Sequence, residues 1–349
     1  MRKQKQPEPL KLSREPILCS RSQCCLQWFQ RKTFIKTRRG SPRSLLDLRG
    51  CFHLGAVPFF FDAGPMKQDR FHYCLDQLKR FDHDRYLAVL LSPEPIRGPL
   101  AAYFSFDAEM MRIPTTVSEP MLADIRFQWW RETLETMTPL SNPGHEIAAA
   151  LAETIFDHGI APADLVSFVD LRARDLAEQP FATLEELIEF QRQVAVRHLE
   201  CTSRITGEIL NEETSTIATT HLMVFGLINQ LRRIPHDAAS SQLSLPLDLM
   251  RQHDIDPHAV FQGASSLGIK RAIEEILIYA EDLMVNAGDL DLRSNANLVS
   301  ALLPTVLRSL YIGKFRSPGF DLFHHSSDIP AFRRQMRYLR VRWSKQFQA

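Results

Sequence analysis

The chain has 349 residues, 44% of them hydrophobic, with 42 basic and 41 acidic side chains; it is long enough to bury a sizeable core and is ordinary in composition for a globular protein. The near-neutral total hides an asymmetry: residues 1–65 hold 13 Lys/Arg and 4 Asp/Glu, leaving 29 and 37 for residues 66–349. A mildly acidic body gives no reason to expect nucleic acid as a partner.

Residues 1–65 have no sustained hydrophobic period, and four of the six cysteines (Cys19, Cys24, Cys25, Cys51) fall there. This basic extension reads as a disordered arm, as an Arg-rich transit peptide, or as translated upstream sequence ahead of a natural start at Met66. The clustered cysteines favour a dispensable extension that is not part of the native protein. Cys74 and Cys201 are far apart and lack metal-type spacing, which suits a reducing compartment. No apolar run is read as reaching the ~18–20 residues needed to span a bilayer, so membrane contact is expected to be peripheral at most. The expected location is cytoplasmic, with the periphery of the inner membrane as an alternative, or the mitochondrial matrix for a eukaryotic source.

From Met66 onward nearly every segment repeats its apolar residues at three and four positions, the helical period. Helices are expected over 69–81, 85–91, 95–112, 118–137, 145–157, 162–178, 183–207, 214–234, 257–263, 267–287, 297–315 and 330–346. The tract 138–144 is a loop by its turn residues, and 238–247 another. Within 118–137, Ser118 is the expected N-cap, with Glu119 and Pro120 in the first turn. Ile125, Trp129 and Thr133 are expected on one packing face, with Trp130, Leu134 and Met137 beside them. The mostly apolar helix 214–234 is expected at the centre of the fold. The fold class is therefore all-α: about ten helices in one domain over 66–349.

Residues 98–137 organise this body and also carry a family likeness. YFSFDAEMMR, then SEP, then IRFQWWRETLE, and later NQLRRIPHDAASSQLSLPLDLM at 229–250, resemble the squalene/phytoene synthase family in order over roughly 68–345. The similarity is closest to a divergent branch resembling the mitochondrial complex I assembly factor built on that fold. The resemblance implies an isoprenoid-synthase-like helical bundle around a central cavity.

In synthases of this family, carboxylates on facing helices hold magnesium ions that clamp a leaving pyrophosphate. Hard oxygen ligands suit Mg²⁺, and Asp at i and i+4 share one helix face. Carried onto this sequence, the first motif falls on Met111 and Thr115, both without a carboxylate, with Pro114 between them. The second, Asn-x-x-Arg-Asp-x-x-x-Asp, falls on Asn229, Arg232, Arg233 and Asp237, so its first aspartate is Arg233. A single remaining carboxylate does not assemble a multi-magnesium clamp, and an arginine in a metal position repels the ions. The pocket-lining segment reads Phe190-Gln191-Arg192-Gln193, without the tyrosines of the synthases.

No catalytic residue and no metal or other cofactor is therefore assigned, Mg²⁺ entering only if a reorganised prenyl diphosphate transferase is the correct alternative. Glu109, Arg112, Arg232, Arg233, His236 and Asp237 form a vestigial cleft with two open interpretations. Paired arginines recognise phosphate or carboxylate by fork geometry, so the cleft holds a prenyl diphosphate or an anionic lipid without metal. Alternatively the acids pair with the arginines and the cavity is closed. The basic, apolar-interleaved stretch FRRQMRYLRVRW at 332–343 suits an anionic membrane, a partner helix, or an ordinary closing helix with a solvated basic face. The resemblance implies a protein partner, namely respiratory complex I subunits, and a binding or assembly role rather than turnover.

Overall fold

Helical periodicity is realised as fourteen α-helices among the residues described by the computed structural model, which are 69–349 except 117–119, 140, 142, 175–179 and 349. The expectations for residues 1–65, for Ser118 and Glu119 and for the end of the 162–178 helix lie outside the described residues. The elements are α1 (Asp69–Phe81), α2 (His83–Leu90), α3 (Glu94–Thr116), α4 (Pro120–Glu135), α5 (Glu146–Asp157), α6 (Pro162–Arg174), α7 (Leu184–Thr206) and α8 (Glu212–Ala239). They continue with α9 (Leu247–Gln252), α10 (Pro257–Phe261), α11 (Leu267–Ala287), α12 (Leu298–Leu302), α13 (Arg308–Phe315) and α14 (Ala331–Ser344).

Local chemistry sets several boundaries. Thr183 caps α7 by accepting the Glu186 amide at 3.2 Å, and Asn211 caps α8 by accepting that of Thr214 at 2.7 Å. Gly207, at φ +70°, ends α7 in the left-handed region, and the Glu208 amide reaches back to the Ser203 carbonyl at 3.0 Å. The layers are built by helix pairing: α7 on α8, α8 on α11, α1 on α3, α3 on α5 and α4 on α6.

Two helices share the centre. Helix α8 packs on α7, α11 and α13 but leaves Leu222 and Phe225 only half-buried. Helix α3 is buried on every side over Leu100–Asp107, a run that includes Ala101, Ala102, Tyr103, Phe104 and Phe106. The small alanines let neighbouring helices approach, while the rings fill the space between them.

Several expectations are corrected. Pro114 and Pro235 both lie inside helices, α3 and α8, although each removes an N–H from the ladder. Around Pro235 the buried Ile234, Asp237 and Ala238 carry the helix on to Ala239, shortening the expected loop. Segment 297–315 is three pieces, α12, a 3₁₀ turn at Leu303–Leu307 and α13, because Pro304 breaks the hydrogen-bond pattern. That segment also qualifies by length and composition as a bilayer span: Leu298–Phe315 has 18 residues at hydropathy 1.2, but 72% of it is buried within the fold. Two short strands unseen in the sequence, β1 (Leu290–Asp291) and β2 (Gln346–Phe347), pair antiparallel and tie down the C-terminal end. On α4 the buried face is Ala123, Phe127, Trp130 and Leu134, turned toward α6, whereas Ile125 is 58% and Trp129 37% exposed. Adjacent tryptophans on a helix point about 100° apart, so they cannot both face the same neighbour.

Candidate functional site

An arginine-lined cleft opens between the ends of α1 and α2 on one side and α8 on the other, with a volume of ≈ 790 Å³. Its lining includes six arginines (Arg80, Arg85, Arg112, Arg232, Arg233, Arg334) against three aspartates (Asp82, Asp84, Asp328). The excess of guanidinium makes it a place for an anion rather than for a cation. Beyond it lies a smaller cavity of ≈ 60 Å³, which shares the walls Arg85, Met111, Asn229 and Arg233 with the cleft and adds Arg172, Gln191 and His198.

Five of the cleft's six arginines, Arg85, Arg112, Arg232, Arg233 and Arg334, are held in place rather than left to swing. Arg112 lies over the Phe81 ring, 3.3 Å from its centroid, and Arg232 over Tyr311 at 4.0 Å. Arg232 also donates to Asn229 Oδ1 at 2.9 Å. Arg233 pairs with Asp237 Oδ2 at 3.4 Å, one helical turn on. Asp84, at the start of α2, accepts from Tyr311 Oη at 2.6 Å and from Arg334 at 2.9 Å, which ties that wall to α13 and α14.

At the floor sits a charged cluster that sequence reasoning missed. Asp107 Oδ1 accepts from Arg172 Nε at 2.9 Å and Nη2 at 2.7 Å, while Oδ2 accepts from Arg85 Nη2 at 2.5 Å. Burial alone would push the Asp107 carboxyl up, but the Arg172 and Arg85 charges outweigh it and hold it well below the usual carboxylate range. The His198 ring lies 4.0 Å from Asp107 and 3.3 Å from the Tyr103 hydroxyl; burial, reinforced by Arg85, lowers its imidazole to about 3, so it is neutral. One available signal was Asp107 itself, a single acid inside the apolar run YFSFDAEMM. Its partners on α2 and α6, however, have no sequence relation to it.

The structure brings Met111, Arg112, Arg232, Arg233 and His236 together on the cleft wall. Glu109 is turned elsewhere, pairing with His145 Nε2 at 3.4 Å. Asp237 is buried behind Arg233 and bonded to the Ser244 hydroxyl. The side chain of Thr115 lies outside the described residues. Of the segment 190–193, Phe190 is core, Gln191 lines the inner cavity, and Arg192 and Gln193 bond outward to Glu189.

These side chains do not fit the magnesium clamp implied by the fold. Met111 and Arg233, onto which the resemblance carries two of the family's aspartate positions, supply no carboxylate, and Asp237 turns its Oδ2 to Arg233 and Ser244. Asp82 caps α2 through the Arg85 amide, and Asp84 is held by Tyr311 and Arg334. Among the described residues no group of three His, Cys, Asp or Glu side chains is arranged to hold a metal ion.

An all-helical body around an open cavity is the architecture of the isoprenoid synthases. Two solved structures share this fold: a dehydrosqualene synthase in complex with ligand (TM-score 0.63, 15% identity, covering 78% of this chain and 95% of that one) and squalene synthase HpnC from Alicyclobacillus acidocaldarius (0.53, 15%, 81% and 97%). The chain belongs to the squalene/phytoene synthase family, whose model matches residues 78–345. Among its relatives, the Rattus norvegicus protein called NADH dehydrogenase (ubiquinone) complex I, assembly factor 6, is 26% identical over 266 residues, 76% of this chain and 79% of that one. The Homo sapiens protein of the same name is 25% identical over the same lengths, and the Drosophila melanogaster homolog 22% over 262 residues, 73% and 78%.

Proposed function

We propose that this protein is a non-catalytic member of its family that serves as a binding and assembly factor for respiratory complex I, with subunits of that complex as its protein partners. The non-catalytic part is supported by Met111 and Arg233 on the wall of the open cleft, at positions onto which the resemblance carries two of the family's metal-holding carboxylates. The assembly part rests on relatives that bear that name over more than three-quarters of their length. Such a role locates the protein where complex I is built, beside a respiratory membrane.

The open cleft supports one addition: it binds a prenyl diphosphate or an anionic lipid without metal and without turnover. Arg112, Arg232, Arg233 and His236 would meet the anion, since guanidinium forks match phosphate oxygens. Residues 66–349 form the working domain in this proposal, and residues 1–65 are dispensable to it.

The test has two arms. Cells lacking the gene should contain less assembled complex I on native gels, and both the full chain and residues 66–349 should restore it. Purified full chain is incubated with farnesyl and geranylgeranyl diphosphates, with Mg²⁺ or EDTA, while pyrophosphate release and binding are followed. Binding that survives EDTA without release supports the proposal. Mg²⁺-dependent release would replace it with a prenyl diphosphate transferase, and unchanged complex I would remove the assembly role.

A further inference from the structure

Helix α14 has two faces of opposite character. Its inner face is bound into the fold: Arg334 pairs with Asp84 at 2.9 Å, Tyr338 Oη donates to the Asp84 carbonyl at 3.2 Å, and Arg342 donates to the Leu91 carbonyl at 3.1 Å. Beyond the helix, β2 pairs with β1 and buries Phe347 against His221. The helix is therefore fixed at both ends, and its outer face is not waiting for the rest of the body.

That outer face carries Phe332, Met336 and Trp343, which are 71%, 50% and 76% exposed. Spacings of four and seven residues place all three on one stripe. Arg333 and Arg340 flank the stripe, exposed and without an acidic partner among the described residues. The helix AFRRQMRYLRVRWS has five arginines and no acid. Exposed aromatic and aliphatic side chains beside cations are the pattern of a helix that lies in a bilayer interface.

Next to the stripe is a pocket of ≈ 70 Å³ whose lining includes Arg308, Arg337 and Arg340 together with Ser344. Arg308 is only 4% exposed, and the partners it finds are His221 Nδ1 and the Thr305 and Gln348 carbonyls, with no carboxylate in hydrogen-bond contact. Burial and the nearby Arg337 charge lower its guanidinium to about 10, with Asp289 offsetting this only in part. Three cations thus surround a small space with only partly compensated charge, which an oxyanion would relieve.

We infer that the outer face of α14 docks on an anionic phospholipid bilayer, Phe332, Met336 and Trp343 entering the headgroup–acyl boundary while Arg308, Arg337 and Arg340 receive one lipid phosphate. The polarity of the face decides the occupant. A protein groove would have to supply acids for a row of arginines and an apolar trough together, whereas an anionic leaflet presents both everywhere. The cleft of the proposed function plays no part, so either proposal can fail alone.

The full chain is sedimented with phosphatidylcholine vesicles and with vesicles containing phosphatidylglycerol, at physiological ionic strength. Full-length variants Phe332→Ser/Trp343→Ser and Arg340→Glu are compared with Lys270→Glu, a charge reversal at an exposed site on α11. Binding is expected on the anionic vesicles only. Each arginine near such a surface contributes about fivefold in partitioning, so Arg340→Glu should lower it by about 25-fold and Lys270→Glu should not. The aromatic pair should lower it by at least tenfold, while circular dichroism and melting stay unchanged. Binding that persists in the α14 variants would assign it to another basic segment and overturn the inference. No vesicle binding, with inorganic phosphate still bound by the native chain and lost in Arg340→Glu, would leave a free-anion pocket and overturn it equally.

Discussion

Arg172 grips Asp107 with two parallel N–H donors at 2.9 and 2.7 Å on a single carboxylate oxygen, although the two residues are 65 positions apart. With Arg85 on the other oxygen, the buried acid joins α2, α3 and α6 beneath the cleft. Removing it would leave two guanidiniums facing each other out of water. Asp107→Ala should cost about 3–5 kcal/mol, the usual effect of breaking a buried pair from one side. For a body this size that lowers Tm by on the order of 10 °C. A change within 2 °C by calorimetry would mean that the cluster is hydrated.

Acid should unfold the body earlier than its carboxylates alone require. Burial lowers both His198 and His221 to about 3, the latter with help from Arg308. Each is neutral in the fold yet takes a proton near pH 6.5 when unfolded. Their stabilisation is complete above pH 6.5 and declines as pH falls from there toward 3. The combined slope is on the order of 2–3 kcal/mol per pH unit. Urea titrations from pH 7 to pH 4 measure it, and His198→Gln should remove about half. An unchanged slope in that variant would refute the assignment.

The α7–α8 contact depends on a missing side chain. A Cβ on Gly226 would lie 2.2 Å from Gln191 Oε1, inside any allowed contact. Gly226→Ala must swing the Gln191 amide aside into the inner cavity, which offsets the gain in helix propensity, so the net change should stay within about 0.5 kcal/mol. In a Gln191→Ala background that offset is absent, leaving a gain of about 0.5–1 kcal/mol from propensity alone. A double-mutant cycle on Tm decides it; additive effects would show that the two residues do not meet.

The cleft's charge should be measurable without turnover. Arg112→Gln and Arg232→Gln each remove a charged donor, worth about 1.5–3 kcal/mol per bond. Affinity for farnesyl diphosphate in EDTA, by calorimetric titration, should fall by about tenfold or more in each. The loss should be the same when Mg²⁺ is added. Affinity that rises with Mg²⁺ in the native chain would restore a metal site.

Helical period, caps and turn residues determined most of the elements locally: α1 and α11 have the expected bounds, and Thr183 and Gly207 close α7 as their chemistry requires. The order of motifs was also enough to identify the family, since the succession of residue types along a chain needs no coordinates. Only the tertiary structure decided that Pro114 and Pro235 stay helical; beyond Pro235 the burial of Asp237 and Ala238 outweighs one lost hydrogen bond. It alone turned Trp129 outward and Trp130 inward, since which neighbour a helix face meets is not written in its own period. The Asp107 cluster and the approach of Arg308 to Arg337 and Arg340 of α14 were equally hidden. Each joins side chains from different helices, and charges of that kind become a site only when packing removes the water between them.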